Sequence, residues 1–168
     1  MKKVYTCFCT DVIHEGHINI LREAAKYGEV TVGILSDAAM IKYNRFPTIT
    51  IEEREQIVRD TGLAQSVLIQ NEIMYDKIIA ELLPDYVIHG DNWCEGPERA
   101  IRENVLQNLA KYGGELIEIG YTYNDRVRKI DDNIRKRLSM PEYRRRRLRQ
   151  LIKLCPVVKT IEVHSGLT

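Results

Sequence analysis

Five short apolar segments recur along the chain, at residues 3–9, 30–35, 66–69, 85–89 and 115–119, and stretches with helical periodicity separate them. Strands that alternate with helices bury both faces of one sheet when they run parallel and the helices cover its two sides. Residues 30–35 make this case most strongly. Val30, Val32, Ile34 and Leu35 leave almost no polar face, as a central strand covered on both sides requires. Between the first two strands, Ile18, Leu21, Ala24 and Ala25 fall on one helical face, so residues 3–35 read as a βαβ unit.

The punctuation agrees with this pattern. Ser36 or Asp37 caps a short helix, and Thr50-Ile51-Glu52-Glu53 is a capping box that opens a helix reaching residue 60. Pro84 stops a helix over 75–83, Gly96-Pro97 starts one that runs to 112, and Gly113-Gly114 turns into the last strand. The expected fold is α/β, a Rossmann-like, doubly wound, five-stranded parallel sheet with a basic helical extension at its C-terminal side. The expected divisions are 1–123, 124–155 and 156–168. In such sheets ligands bind beyond the carboxyl ends of the strands, where the strand order reverses.

Composition narrows the classes. A chain of 168 residues buries one full core, no apolar run approaches the ~18 residues of a membrane span, and the N-terminus enters a strand instead of a signal sequence. A cytoplasmic protein without a membrane partner is expected. Cys7, Cys9, Cys94 and Cys155 lack Cys-x-x-Cys spacing and read as reduced thiols; a metal site built from Cys7, Cys9 and the histidines is the alternative. The net charge of +1 hides an asymmetry: residues 1–125 carry 12 basic and 20 acidic side chains, residues 126–168 carry 13 and 4. Arg144 to Arg147, Arg149 and Lys153 make a basic helix, with Leu148, Leu151, Ile152 and Leu154 expected to pack as its apolar face. No aromatic residues interleave with these charges as base stacking would need, so nucleic acid is not an expected partner.

The chemistry concentrates in two loops. His14-Glu15-Gly16-His17 lies where the first strand enters the first helix, so two imidazoles and a helix N-terminus surround one point, and Gly16 permits close approach to the backbone. That arrangement suits phosphate oxygens. Helix capping and a metal pair with Asp11 as third ligand are the competing readings. The loop after the fourth strand, His89-Gly90-Asp91-Asn92-Trp93, places an acid, an amide and the single tryptophan beside a glycine, which suits a ribose and a stacked base or, for Trp93, core packing. Lys42 and Arg45 follow the second strand on the same side and suit phosphates, whereas Arg54, among Glu52, Glu53 and Glu55, also reads as a surface ion pair.

Together these segments resemble the HxGH nucleotidyltransferase superfamily. Cys9 to His17 is similar to its signature, His89 to Trp93 to the GDDW-type loop of cytidylyltransferases, and Glu53-Arg54 to their helix ER pair. The resemblance implies catalytic roles for His14, His17, Lys42 and Arg54. It also implies nucleotide contacts from Phe8, Cys9, Thr10, Asp11, Gly16, His89, Gly90, Asp91, Asn92, Trp93 and Thr122. The family's RTxGIST-type segment is absent from residues 121–129, so Arg126, Arg128 or Lys129 is expected to replace its phosphate ligands, with Arg45 also expected to bind phosphate or substrate. Residues 156–168 resemble the first strand of phosphoenolpyruvate mutase barrels. The implied protein is the N-terminal part of a bifunctional mutase and phosphonate cytidylyltransferase. It would join CMP from CTP, accompanied by Mg2+, to a small phosphonate such as 2-hydroxyethyl- or 2-aminoethylphosphonate, and a homodimer is expected. Phosphocholine or glycerol phosphate as acceptor, an adenylyltransferase of the same superfamily and a non-catalytic nucleotide-binding domain are the alternatives.

Overall fold

A computed structural model of the chain describes residues 1–9, 11–43, 45–120, 129, 141–154 and 157–158. Two units divide the chain, Met1–Asp125 and Arg126–Thr168. The first contains one sheet whose order is β3-β2-β1-β4-β5, with every pairing parallel. Its elements are β1 (Lys3–Phe8), α1 (Glu15–Ala24), β2 (Glu29–Leu35), α2 (Asp37–Lys42), α3 (Ile51–Asp60), β3 (Ser66–Gln70), α4 (Asp76–Leu82), β4 (Tyr86–Gly90), α5 (Arg99–Leu109) and β5 (Glu115–Ile119). All five expected strands are present, and the sheet is of the expected doubly wound kind.

Alternation along β1 builds the two layers of the core. Val4 and Phe8 point to one side, where they meet Leu21 and Ala24 of α1, Val58 of α3 and Ile88 of β4. Tyr5 and Cys7 point to the other, against Tyr75, Ile79 of α4, Val87, and Val105 and Leu109 of α5. Register is tight through the centre: Val4 of β1 is opposite both Val30 of β2 and Tyr86 of β4. A slip by one residue would exchange the two layers, which is why the register is strongly specified.

The helix ends carry their expected signals. Thr50 and Glu53 cap α3 reciprocally, with Glu53 N donating to Thr50 Oγ1 at 3.2 Å and Thr50 N to Glu53 Oε2 at 2.8 Å. Ahead of α5, residues 96–98 form a single 3-10 turn, which shortens the expected helix at its start. α4 ends with Leu83 in the left-handed region at φ 45°, and Pro84 prevents continuation. In the second unit, α6 (Pro141–Leu154) forms as expected, with Leu148 45% and Ile152 61% exposed. The barrel-like segment 156–168 lies outside the described residues apart from 157–158.

Candidate active site

β1 and β4 are neighbours in the sheet, yet the chain leaves β1 toward β2 on one side and β4 toward β5 on the other. The crevice at their carboxyl ends is therefore the switch point, and both sequence-predicted loops open into it.

At the end of β1, α1 is capped by histidines. His14 is the N-cap, and its Nδ1 accepts from Gly16 N at 3.1 Å, while His17 Nδ1 accepts from His14 N at 3.3 Å. This is a capping box with imidazoles in the places usually taken by Ser or Thr and Glu. Capping was a competing reading for the pair, and these hydrogen bonds bear it out. A ring nitrogen that accepts from a backbone N–H carries no proton, so in each neutral ring the proton is on Nε2. The rings lie 3.9 Å apart, and Phe8 meets His17 edge-on at 4.7 Å. Burial, then the neighbouring His14 and His89, push the His17 imidazole down to about 3, so it is neutral at physiological pH. A Cβ at Gly16 would lie 3.0 Å from His14 Cε1, so the ring that caps the helix would have to give by a few tenths of an ångström.

The second loop departs from expectation. Trp93 is 1% exposed and its indole lies flat beneath His89, with ring centres 3.6 Å apart at 10°. It does not wall the nucleotide pocket; core packing, the alternative reading, is what the structure shows, because His89 occupies one face of the indole. His89 Nδ1 lies 2.8 Å from the Gly90 carbonyl. A carbonyl only accepts, so here Nδ1 carries the proton and Nε2 is the free acceptor. Burial also depresses the His89 imidazole. Asp91 and Asn92 are exposed beside it, and a Cβ at Gly90 would meet Asn92 Oδ1 at 2.9 Å, the end of a side chain that can turn aside.

Arg54 is corrected in the same manner. The resemblance implies a catalytic group, but its side chain is 2% exposed and its fork is occupied: Nη1 donates to Leu35 O at 2.7 Å and to Met40 Sδ at 2.8 Å, and Nη2 pairs with Asp37. It is a positioning residue that joins α3 to the end of β2. Its Nε faces Asp11 Oδ1 at 3.8 Å, and neither atom has a hydrogen-bond partner among the described residues. Asp11 Oδ2 accepts from both the backbone N and Oγ1 of Thr48. Asp11 therefore ties the loop after β1 to Thr48.

Phe8 is buried behind His17, so its side chain supports the imidazole and makes no surface. Cys9 is half-buried, and burial pushes its thiol up to about 11; Cys7 rises to about 12 for the same reason, so both remain protonated. Lys42 and Arg45 are exposed at the β2 side, with the Arg45 guanidinium 5.8 Å from the Tyr43 ring. Among the described residues no three His, Cys, Asp or Glu side chains are grouped as a metal site would require. Thr10, Thr122, Arg126 and Arg128 lie outside the described residues.

Two groups of residues escaped the sequence reading. Tyr43 donates to Glu98 across the crevice, from the β2 side to the turn after β4. Glu118 of β5 accepts from Trp93 Nε1 at 2.6 Å and receives Arg102 of α5 at 2.8 and 2.7 Å. The signal for Glu118 was present as a carboxylate within a strand of otherwise apolar alternation. Nothing local pairs it with Trp93.

A family model described as cytidylyltransferase-like matches residues 5–146. The ethanolamine-phosphate cytidylyltransferase of Arabidopsis thaliana is 29% identical over 116 residues, 66% of this chain and 28% of that protein. The bifunctional protein HldE of Pseudomonas aeruginosa is 25% identical over 139 residues, 81% of this chain and 28% of that one. The chain thus spans 28% of the length of each of these curated relatives. Among solved structures, the lipopolysaccharide core biosynthesis protein of Thermoplasma volcanium shares the fold with a TM-score of 0.60 and 20% identity, covering 74% of this chain and 99% of that one. Pantothenate synthetase of Thermus thermophilus shares it at 0.53 and 11%, over 74% of this chain and 58% of that one.

Proposed function

The chain belongs to the cytidylyltransferase-like family, and from that premise we propose that it transfers the cytidylyl group of CTP to a small phosphonate, 2-hydroxyethyl- or 2-aminoethylphosphonate, and releases pyrophosphate. The observation that carries the reading is the histidine-capped N-terminus of α1 at the switch point. Two neutral imidazoles there offer Nε2–H donors beside the positive end of a helix. These are the groups a reaction needs when charge accumulates on α-phosphoryl oxygens.

In this mechanism a phosphonate oxygen attacks the α-phosphorus. A new P–O bond forms, the bond to the bridging oxygen of pyrophosphate breaks, and the electron pair leaves with pyrophosphate. The nucleophile is already an anion near neutral pH, so alignment and charge stabilisation suffice and no general base is required. His14 and His17 stabilise the α-phosphoryl oxygens, and Lys42 and Arg45 hold phosphate or acceptor. Mg2+ enters with the nucleotide as part of the substrate, ligated mainly by phosphate oxygens and water. Assembly as a homodimer and fusion to a second catalytic domain belong to the same proposal; the bifunctional protein HldE is a relative that supplies the precedent.

A phospho-alcohol acceptor is the second reading, favoured by the ethanolamine-phosphate relative. Pyrophosphate release is the test, with CTP or ATP against aminoethylphosphonate, hydroxyethylphosphonate, phosphoethanolamine, phosphocholine and glycerol phosphate. Turnover with CTP and a phosphonate is expected. Turnover confined to phospho-alcohols would replace the acceptor, turnover only with ATP would replace the nucleotide, and CTP binding without turnover would leave a non-catalytic domain.

A further inference from the structure

One polar chain in the first unit belongs neither to the histidine cap nor to the phosphate-binding cations. It starts at Arg102 on α5, whose Nε and Nη2 grip both oxygens of Glu118 on β5 at 2.8 and 2.7 Å. Glu118 Oε1 then accepts from Trp93 Nε1 at 2.6 Å, and the indole stacks on His89. The sheet itself brings the ends together, because His89 and Glu118 are direct register neighbours on β4 and β5. His89 lies close enough to His17 for its charge to oppose protonation of that ring.

This arrangement is more elaborate than packing demands. A phenylalanine would fill much of the same core volume, yet the chain buries a tryptophan whose N–H needs an acceptor, and supplies a carboxylate held by a bidentate arginine. The hydrogen bonds fix the indole plane, and the plane fixes the ring above it. The Gly90 carbonyl fixes the remaining degree of freedom, since it selects the Nδ1–H tautomer and leaves Nε2 as an acceptor. An acceptor is the wrong polarity for a phosphate oxygen. It suits the donor groups of a nucleoside, a ribose hydroxyl or an exocyclic amine.

We infer that Arg102 and Glu118 are positioning residues which, through Trp93, hold His89 as a hydrogen-bond acceptor for the nucleoside part of the nucleotide. The inference rests on the nucleotide reading of the site given above. It assigns work to two residues on α5 and β5 that touch no ligand, and it makes the indole N–H the single point through which they act.

A double-mutant cycle on the complete chain tests that point, with CTP binding measured by calorimetry. Glu118→Leu, which removes the acceptor, and Trp93→Phe are each expected to weaken CTP binding about tenfold, the scale of losing a charge-assisted hydrogen bond and the orientation it fixes. The double variant is expected to be no weaker than either alone within about twofold, because both remove the same link. Arg102→Gln should fall between these and the wild type, and turnover should show the loss in KM more than in kcat. Trp93 is the only tryptophan, so its emission reports the stack directly: Glu118→Leu should shift it to the red in a protein that still folds. Multiplicative losses in the double variant, or wild-type affinity in Glu118→Leu, would overturn the inference. Absence of CTP binding by the wild type would overturn the nucleotide reading and this inference with it, whereas wild-type binding with multiplicative variants overturns the inference alone.

Discussion

At the end of β1, backbone N–H groups donate to the Nδ1 atoms of His14 and His17; at the end of β4, the Nδ1 of His89 meets a carbonyl instead. The same side chain is thus set in opposite tautomers on the two sides of one crevice. The first pair offers donors, suited to anionic oxygens, and the second offers an acceptor, suited to hydroxyl or amine groups. Local backbone makes the difference. A helix N-terminus presents unsatisfied N–H groups, whereas the end of β4 turns a carbonyl toward its own ring. Support differs too. The β1 turn is tied through Asp11 to Thr48, with the buried Arg54 alongside, and His89 rests on Trp93, which Glu118 and Arg102 brace.

The contrast can be broken in several places. The largest effect is expected from Arg54→Leu, which leaves the half-buried Asp37 and Asp11 without their cation and should cost about 3–5 kcal/mol of stability, read by urea unfolding. A loss under about 1 kcal/mol would show that the β1 turn does not depend on that buried guanidinium. Next, His17→Ala in a folded protein should lower kcat by at least ~100-fold, the scale of a lost transition-state donor. His89→Ala should instead weaken CTP binding about tenfold, as expected for a ground-state contact. If both variants change the same parameter, the donor and acceptor roles are not separate.

Acid should act on the two sides at different pH. His17 is held neutral down to about 3, below its ordinary 6.5, so the unfolded chain binds a proton that the folded chain does not. Its contribution is complete above pH 6.5 and declines as pH falls from there toward 3; depressed His89 adds in the same direction. Glu118 is lowered to about 2 from 4.5, chiefly by its bond to Arg102. Its contribution persists down to about pH 4.5 and is lost toward 2. Urea midpoints between pH 7.5 and 5 should therefore fall through the histidines alone, and His17→Asn, whose amide oxygen can still accept from the His14 N–H, should flatten that slope. The smallest effect lies outside both loops: Leu83→Gly relieves a left-handed residue and should raise stability by about 0.5–1 kcal/mol with unchanged kinetics, a thermal-midpoint measurement.

Short-range signals were legible in the residues. Apolar runs located all five strands, and the Thr50 and Glu53 box located the start of α3 within one residue. The histidine turn was legible as a site, though not as a reciprocal cap, because histidine is not the residue type that the capping pattern names. The ends of α1 and α5 were less legible, since fraying and a 3-10 turn depend on what packs against the last residues.

Sequence alone therefore determined the alternating architecture, the switch point and the two loops that open on it, because periodicity and turn chemistry act within a few residues. Tertiary structure alone decided which polar side chains face the crevice and which support it. Arg54 reads as a surface charge until Leu35 and Asp37, 19 and 17 positions away, enclose it. Trp93 reads as a stacking platform until Glu118, 25 positions on, takes its N–H. A buried charge or indole N–H needs a partner, and the sheet order, not the local sequence, determines which partner is near enough.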